Sequence, residues 1–219
     1  MNKLIIFDCD GTLYQQPDGP FLDSPFWQEV IEKSIDLIAE TKKYAKDEAK
    51  NIFHNFFIDY GGEISRAFNE RLGVSMDEYF SHTWGKIHPR DYIQRGAIHA
   101  KTLDQVLTKI APNLAVLTNA PQPWVLNVLR EIGIEKYFCG NVWTGETAIR
   151  KPTRESYLQI INKFGVLPKE TLMIGDDEKL DIQVPLELGI TTVLVNPYNK
   201  PTKARYQITD INKLVEVLK

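Results

Sequence analysis

The chain has 219 residues, 43% hydrophobic and 25% charged, with 26 basic against 29 acidic side chains and a formal net charge of −3. That length suits one large domain, or one core with a smaller insertion, and the charge balance leaves no electrostatic footprint for a nucleic-acid polymer. Cys9 and Cys139 have neither metal-ligand spacing nor the density of a disulfide scaffold. No run approaches the ~20 apolar residues of a membrane span. The start, one Lys and about four apolar residues, is short of the ~7–15 apolar residues of a signal peptide. The expectation is a reduced, cytoplasmic protein, monomer or homodimer, with no membrane partner.

In chain order, the first element is the apolar run Leu4-Ile5-Ile6-Phe7, which reads as a strand buried on both faces. It stops at Asp8-Cys9-Asp10-Gly11-Thr12. If the strand continues through Asp10, the two carboxylates project to one side and Cys9 to the other, as a buried structural thiol. Gln15 to Pro20 is a loop signal. From Pro25 to about Arg95 the texture is helical. Trp27, Val30, Ile31, Ile35 and Ile38 form one stripe; Ile52, Phe53, Phe56, Phe57 and Tyr60 form another, closed by Gly61-Gly62. Ser75 with Glu78 has the spacing of a capping box. His82, Trp84 and His88 fit either a specificity wall or, more simply, the aromatic core of this insertion; His54 and His99 have no partner spacing.

The second half alternates. A helical stripe (Leu103, Val106, Leu107, Ile110) precedes the strand Leu114–Leu117, which ends in Thr118-Asn119. The stripe Val125, Val128, Leu129 and Ile132 follows, then a short strand at Val142-Trp143. Lys151-Pro152 leads into a helix through Tyr157, Ile160, Ile161 and Phe164. The strand Leu172–Ile174 ends in Gly175-Asp176-Asp177. A further helix runs to Gly189, a strand covers Thr192–Val195, and Ile211, Leu214, Val215 and Leu218 suggest a closing helix. Strands alternating with amphipathic helices predict an α/β fold: a Rossmann-like, mostly parallel sheet with helices on both faces, and an inserted α-helical cap. The predicted core is 1–14 with 96–219, and the predicted cap is 15–95. Ligands of such sheets sit beyond the carboxyl ends of the strands, where the polar residues collect here.

Those tips carry a chemistry. The Asp8 carboxylate can attack phosphorus. Asp8 and Asp176 suit Mg²⁺, a hard cation that takes oxygen ligands, and Asp181 can anchor a metal-bound water. Lys151 is a fixed cation for a transferring phosphoryl group. Thr118 and Asn119 offer hydroxyl, amide and backbone donors to phosphate oxygens. Asp10 is placed to move a proton, first to the leaving alkoxide and then from the attacking water.

The segments DCDGTLY, LTNAP and GDDEKLD, with the Lys151-Pro152 pair, resemble the four ordered motifs of the haloacid dehalogenase superfamily. The resemblance implies a Rossmann-like core, a mobile cap and an aspartyl-enzyme intermediate. It aligns Asp8 with the nucleophile, Asp10 with the acid/base, Thr118 with the phosphate-binding hydroxyl, Lys151 with the motif lysine, and Asp176 with the metal ligand. Asp181 matches the last acidic position, while Asp177 stands where many members have Ser or Asn. The dehalogenases of that superfamily generally lack the second aspartate, so Asp10 favours phosphoryl transfer. The expected site is therefore Asp8, Asp10 and Lys151 for catalysis; Thr118, Asn119 and Gly11 for phosphate; and Asp8, Asp10, Asp176, Asp177 and Asp181 around Mg²⁺. The expected activity is hydrolysis of a small phosphorylated metabolite. A phosphosugar mutase is one alternative, and a regulatory module that keeps the fold without turnover is another. The segments FFIDYG and HPRDYI resemble pyrimidine 5′-nucleotidase-like members, which makes a nucleoside monophosphate 5′-nucleotidase a third.

Overall fold

The computed structural model describes residues 2–16, 23–61, 63–93, 96–109 and 111–217. The expectations placed on Pro17, Asp18, Gly19, Pro20, Gly62, Arg95, Ile110 and Leu218 lie outside the described residues. The chain divides into two compact units, Met1–Gln16 with Ile93–Lys219, and Pro17–Tyr92.

The first unit is built on a six-stranded parallel sheet: β1 (Leu4–Phe7), β2 (Asn113–Leu117), β3 (Val142–Trp143), β4 (Thr171–Gly175), β5 (Thr191–Val195) and β6 (Tyr206–Ile208). The order is β3-β2-β1-β4-β5-β6. Ile6 pairs with Ala115 on one side and Met173 on the other. The progression of strands reverses at β1, so the switch point of the sheet falls beside the tip that carries Asp8. Every β1 residue is fully buried, because the sheet is covered on both faces. Leu4 and Ile6 join Ala115, Leu117 and Met173 under Tyr157, Ile160 and Ile161, which belong to a helix over Arg154–Phe164. On the opposite face Phe7 meets Phe138 edge-on, with ring centroids 6.1 Å apart. Each such side chain contributes ~1.5–3 kcal/mol relative to exposure.

Two expectations change. β1 ends at Phe7 and does not run through Asp10. The Asp8 N–H makes one further bond, to the Ile174 carbonyl at 2.8 Å, and the chain then turns, with Thr12 and Leu13 N–H groups both donating to the Cys9 carbonyl. Period-two alternation therefore does not govern where Asp10 points. Cys9 is buried, as expected. The helix after β4 opens as a wider π-helical segment, Glu178–Gln183, before an α-helical turn over Val184–Glu187. The strand β6 was not anticipated.

The second unit holds helices α1 (Pro25–Lys42), α2 (Lys46–Tyr60), α3 (Ile64–Leu72) and α4 (Met76–His82). Of these, α3 was not read from the sequence. The starts are chemically marked. The Ser24 hydroxyl accepts the Trp27 N–H ahead of Pro25, and the Ser75 hydroxyl accepts the Glu78 N–H. Gly73, at φ +75°, lets the chain leave α3. The centre of this unit is Ile38, Phe53, Phe56, Ile64, Phe68 and Tyr79, with the Tyr79 ring 4.6 Å from that of Phe68. Trp84 packs against Phe26 at 5.0 Å, and His82 Nδ1 lies 3.0 Å from the Glu78 carbonyl within its own helix. Trp84 and His82 thus have structural employment inside the unit. No helix among the described residues is long and apolar enough to cross a membrane.

Because Phe68 is fully buried at the centre of that cluster, Phe68→Ala is expected to lower stability by ~3–5 kcal/mol, read as a lower urea midpoint.

Candidate active site

Three strand tips and one loop supply the site. At the end of β1, Asp8 is buried, and the Thr12 hydroxyl lies 3.3 Å from Asp8 Oδ2 and 3.4 Å from Asp176 Oδ1. Past β2, the Thr118 N–H donates to the Trp143 carbonyl at 3.0 Å, and the Thr118 hydroxyl oxygen accepts the Ala120 N–H at 3.1 Å. Past β4, Asp176 stands at the solvent-exposed edge. Asp177 turns away to cap the next helix, accepting the Lys179 and Leu180 N–H groups at 2.7 and 2.8 Å. One turn on, Asp181 is fully buried and accepts the Asp177 N–H at 3.1 Å.

Lys151 closes the set. Its Nζ donates to Asp8 Oδ1 and to Asp181 Oδ1, both at 2.6 Å, with the side chain 2% exposed. Asn119 holds the Lys151 backbone from both ends: its Oδ1 accepts the Lys151 N–H at 3.0 Å and its Nδ2 donates to the Lys151 carbonyl at 2.9 Å. The expected amide donor to phosphate is thus engaged in fixing the lysine.

Asp8, Asp176 and Asp181 each place a carboxylate oxygen within 4.8 Å of the others. An all-oxygen, mostly buried donor set of this charge fits a hard divalent cation. The backbone is cut to admit it. A Cβ on Gly11, where φ is +81°, would lie 2.3 Å from Asp176 Oδ2, and one on Gly175 would lie 2.1 Å from Asp181 Oδ2. Asp10 and Asp177, also expected around the metal, stand outside this trio. Asp10 Oδ1 instead accepts the Trp124 Nε1–H at 2.8 Å and the Tyr14 hydroxyl. Thr12, Trp124 and Tyr14 were not read as site residues. The available signal was that a buried Trp N–H or Tyr O–H needs an acceptor.

The family model for haloacid dehalogenase-like hydrolases matches residues 2–189. The chain belongs to that family. A phosphoglycolate phosphatase of Yersinia pestis is 24% identical over 209 residues, covering 89% of this chain and 82% of the relative. The solved haloacid dehalogenase-type phosphatase of Thermococcus onnurineus superposes with a TM-score of 0.67 at 22% identity, over 99% of this chain and 97% of that one. A 2-haloacid dehalogenase of Pseudomonas syringae pv. tomato superposes at 0.65 with 20% identity, over 100% and 98%. At those identities the structural likeness shows a common fold. With the family established, the chain is an enzyme, a hydrolase of the phosphatase type.

In this haloacid dehalogenase-like site the charges oppose one another. Burial alone would lower the Lys151 ammonium, but Asp181 and Asp8 outweigh it and hold it above its ordinary value. Asp181 is pushed up to about 7, mainly by burial, with Asp8 adding and Lys151 opposing. Asp176 is pushed up to about 8 by loss of hydration, then by Asp8 and Asp181; its open edge lets water offset part of that rise. Asp10 is pushed up to about 6, chiefly by burial, with the Trp124 and Tyr14 bonds opposing.

Both carboxyls therefore hold their protons to higher pH in the metal-free folded protein than in the unfolded chain, which releases them near pH ~3.9. In that window the folded state binds more protons, so its stability falls as pH rises from about 4 through about 7 to 8. Chelator-treated protein is expected to melt at a higher temperature at pH 5 than at pH 8. Added divalent cation should raise Tm far more at pH 8, where binding displaces fewer protons. Gly175→Ala is expected to abolish that cation-induced rise, because the new methyl occupies the place of the Asp181 carboxylate; thermal scans with and without the ion check both.

Proposed function

We propose that this chain hydrolyses a small phosphomonoester through an aspartyl-phosphate on Asp8, with Mg²⁺ held by Asp8, Asp176 and Asp181. The observation that carries this reading is the convergence of one buried ammonium, Lys151, on two carboxylates, Asp8 from the tip of β1 and Asp181 from the helical turn after β4, with Asp176 and the Thr12 hydroxyl beside them. A divalent ion there supplies fixed positive charge that offsets the repulsion between an anionic nucleophile and the phosphoryl oxygens.

The protein's own groups do the rest. An oxygen of Asp8 forms a bond to phosphorus as the ester P–O bond breaks, and the bonding pair leaves on the ester oxygen. Asp10 gives that oxygen a proton and the alcohol departs. Asp10 then takes a proton from water as the water oxygen attacks phosphorus. The bond from phosphorus to Asp8 breaks, and inorganic phosphate leaves. Lys151 screens the phosphoryl charge throughout. The Thr118 hydroxyl oxygen is committed to the Ala120 N–H, so its own hydrogen is left to donate to a phosphoryl oxygen. Asn119 acts by holding Lys151 in place. The Gly11 turn contributes by its closeness to Asp176. Asp177 acts as a helix cap that sets the position of Asp181. Residues 1–14 with 96–219 serve as the catalytic core in this reading, and residues 15–95 as a cap domain that selects the leaving group.

The phosphoglycolate phosphatases among the relatives place 2-phosphoglycolate first among substrates to test. Asp8→Asn is expected to lower phosphate release with Mg²⁺ by roughly 10³-fold or more, and chelation should abolish wild-type turnover until Mg²⁺ is restored. Wild-type turnover by Asp8→Asn would overturn the assignment. Release of free phosphate without any bisphosphate primer separates hydrolysis from the mutase alternative.

A further inference from the structure

Asp10 is held in an unusual way for a residue that must exchange protons. Its two hydrogen-bond donors, Trp124 Nε1–H and the Tyr14 hydroxyl, converge on the same oxygen, Oδ1. Indole N–H is a donor only, and a carboxyl oxygen has two in-plane lone pairs. While both groups donate, neither lone pair of Oδ1 is free to take a proton. Among the described residues nothing donates to Oδ2, and no buried side-chain oxygen lacks a partner, so Oδ2 is the oxygen left open. The two clamping groups are themselves buried: Trp124 is 1% exposed and Tyr14 3%. They come from separate places, Tyr14 from the end of the turn after β1 and Trp124 from the helix Gln122–Glu131 that follows β2. Further, the Ile98 N–H donates to the Leu13 carbonyl at 2.8 Å, which fixes the backbone beside Tyr14.

We propose that Trp124 and Tyr14 are positioning residues that fix the rotation of the Asp10 carboxyl, so that Oδ2 alone delivers a proton to the leaving oxygen. This rests on the phosphatase reading above. The step is the one already balanced there: the Oδ2–H bond breaks as the ester oxygen, carrying the pair from the broken P–O bond, takes the proton.

The test compares two leaving groups. Nitrophenolate departs without a proton, whereas an alkoxide needs one. The quantity to measure is kcat/KM, which covers only the steps through loss of the alcohol. Tyr14→Phe removes one oxygen and no packing atom. It is expected to lower kcat/KM for glycerol 2-phosphate about tenfold or more beyond any loss on p-nitrophenyl phosphate, a fraction of the ~10²–10⁴ that a general acid supplies. Trp124→Phe should show the same selective loss. Adding Tyr14→Phe to Asp10→Asn should cost nothing further on glycerol 2-phosphate, because the group it orients is already gone. Equal losses on both esters, or a full additive loss in the double variant, would reduce the clamp to packing. If instead Asp8→Asn turns over either ester like wild type, the phosphatase reading itself fails, independently of the clamp.

Discussion

The contact on which the rest depends is the buried ammonium of Lys151 between Asp8 and Asp181. Each partner arrives by a different route: Asp8 from the tip of the central strand, Asp181 from the helical turn after β4, and Lys151 from the loop after β3. A buried ion pair is weak evidence for stability, since desolvation opposes the attraction. Its removal is another matter. Without the ammonium, two desolvated carboxylates face each other, and breaking such a pair costs ~3–5 kcal/mol. The triad is therefore best understood as a requirement imposed by chemistry, which the surrounding fold supports with dry apolar packing and with the Asn119 clamp on the lysine backbone.

The glycines show how closely that support is cut. At Gly145 a Cβ would lie 2.1 Å from the Asn119 carbonyl oxygen. The loop carrying Gly145 is thus pressed against the segment that holds Lys151, just as Gly11 and Gly175 are pressed against Asp176 and Asp181. Position at this site is controlled by backbone in contact with side chain, which leaves little freedom for the charged groups to relax apart when a ligand leaves.

Much of this was readable beforehand, and the reason is chemical. Strands β1, β2, β4 and β5 are short apolar runs, and each of the first three ends abruptly in residues that make no sense in a core: Asp8, Thr118 and Asp176. What stayed hidden depends on distance along the chain. Trp124 and Asp10 are 114 residues apart and Asn119 and Lys151 are 32 apart, so no local spacing announces either bond. Asp177 follows Asp176 directly, so the sequence groups the two, whereas in the structure its carboxylate accepts the free N–H groups of the helix start. The strand β6 escaped because only Ile208 of its three residues is buried, and α3 because its buried face amounts to Ile64, Ala67 and Phe68.

The pairing of β1 has a consequence for how the protein reaches its native state. Leu4 lies in register with Asn113 on one side and Thr171 on the other, so β1 waits for its second neighbour until the chain has been made through β4. Such non-local closure carries a loop-entropy cost before any contact repays it, and topologies of this kind fold slowly. During that wait Leu4, Ile5, Ile6 and Phe7 form an unpaired apolar segment, the type of exposure that invites self-association. The same pairing that completes the sheet around β1 also brings Asp8 beside Asp176, so sheet and acid cluster depend on one register.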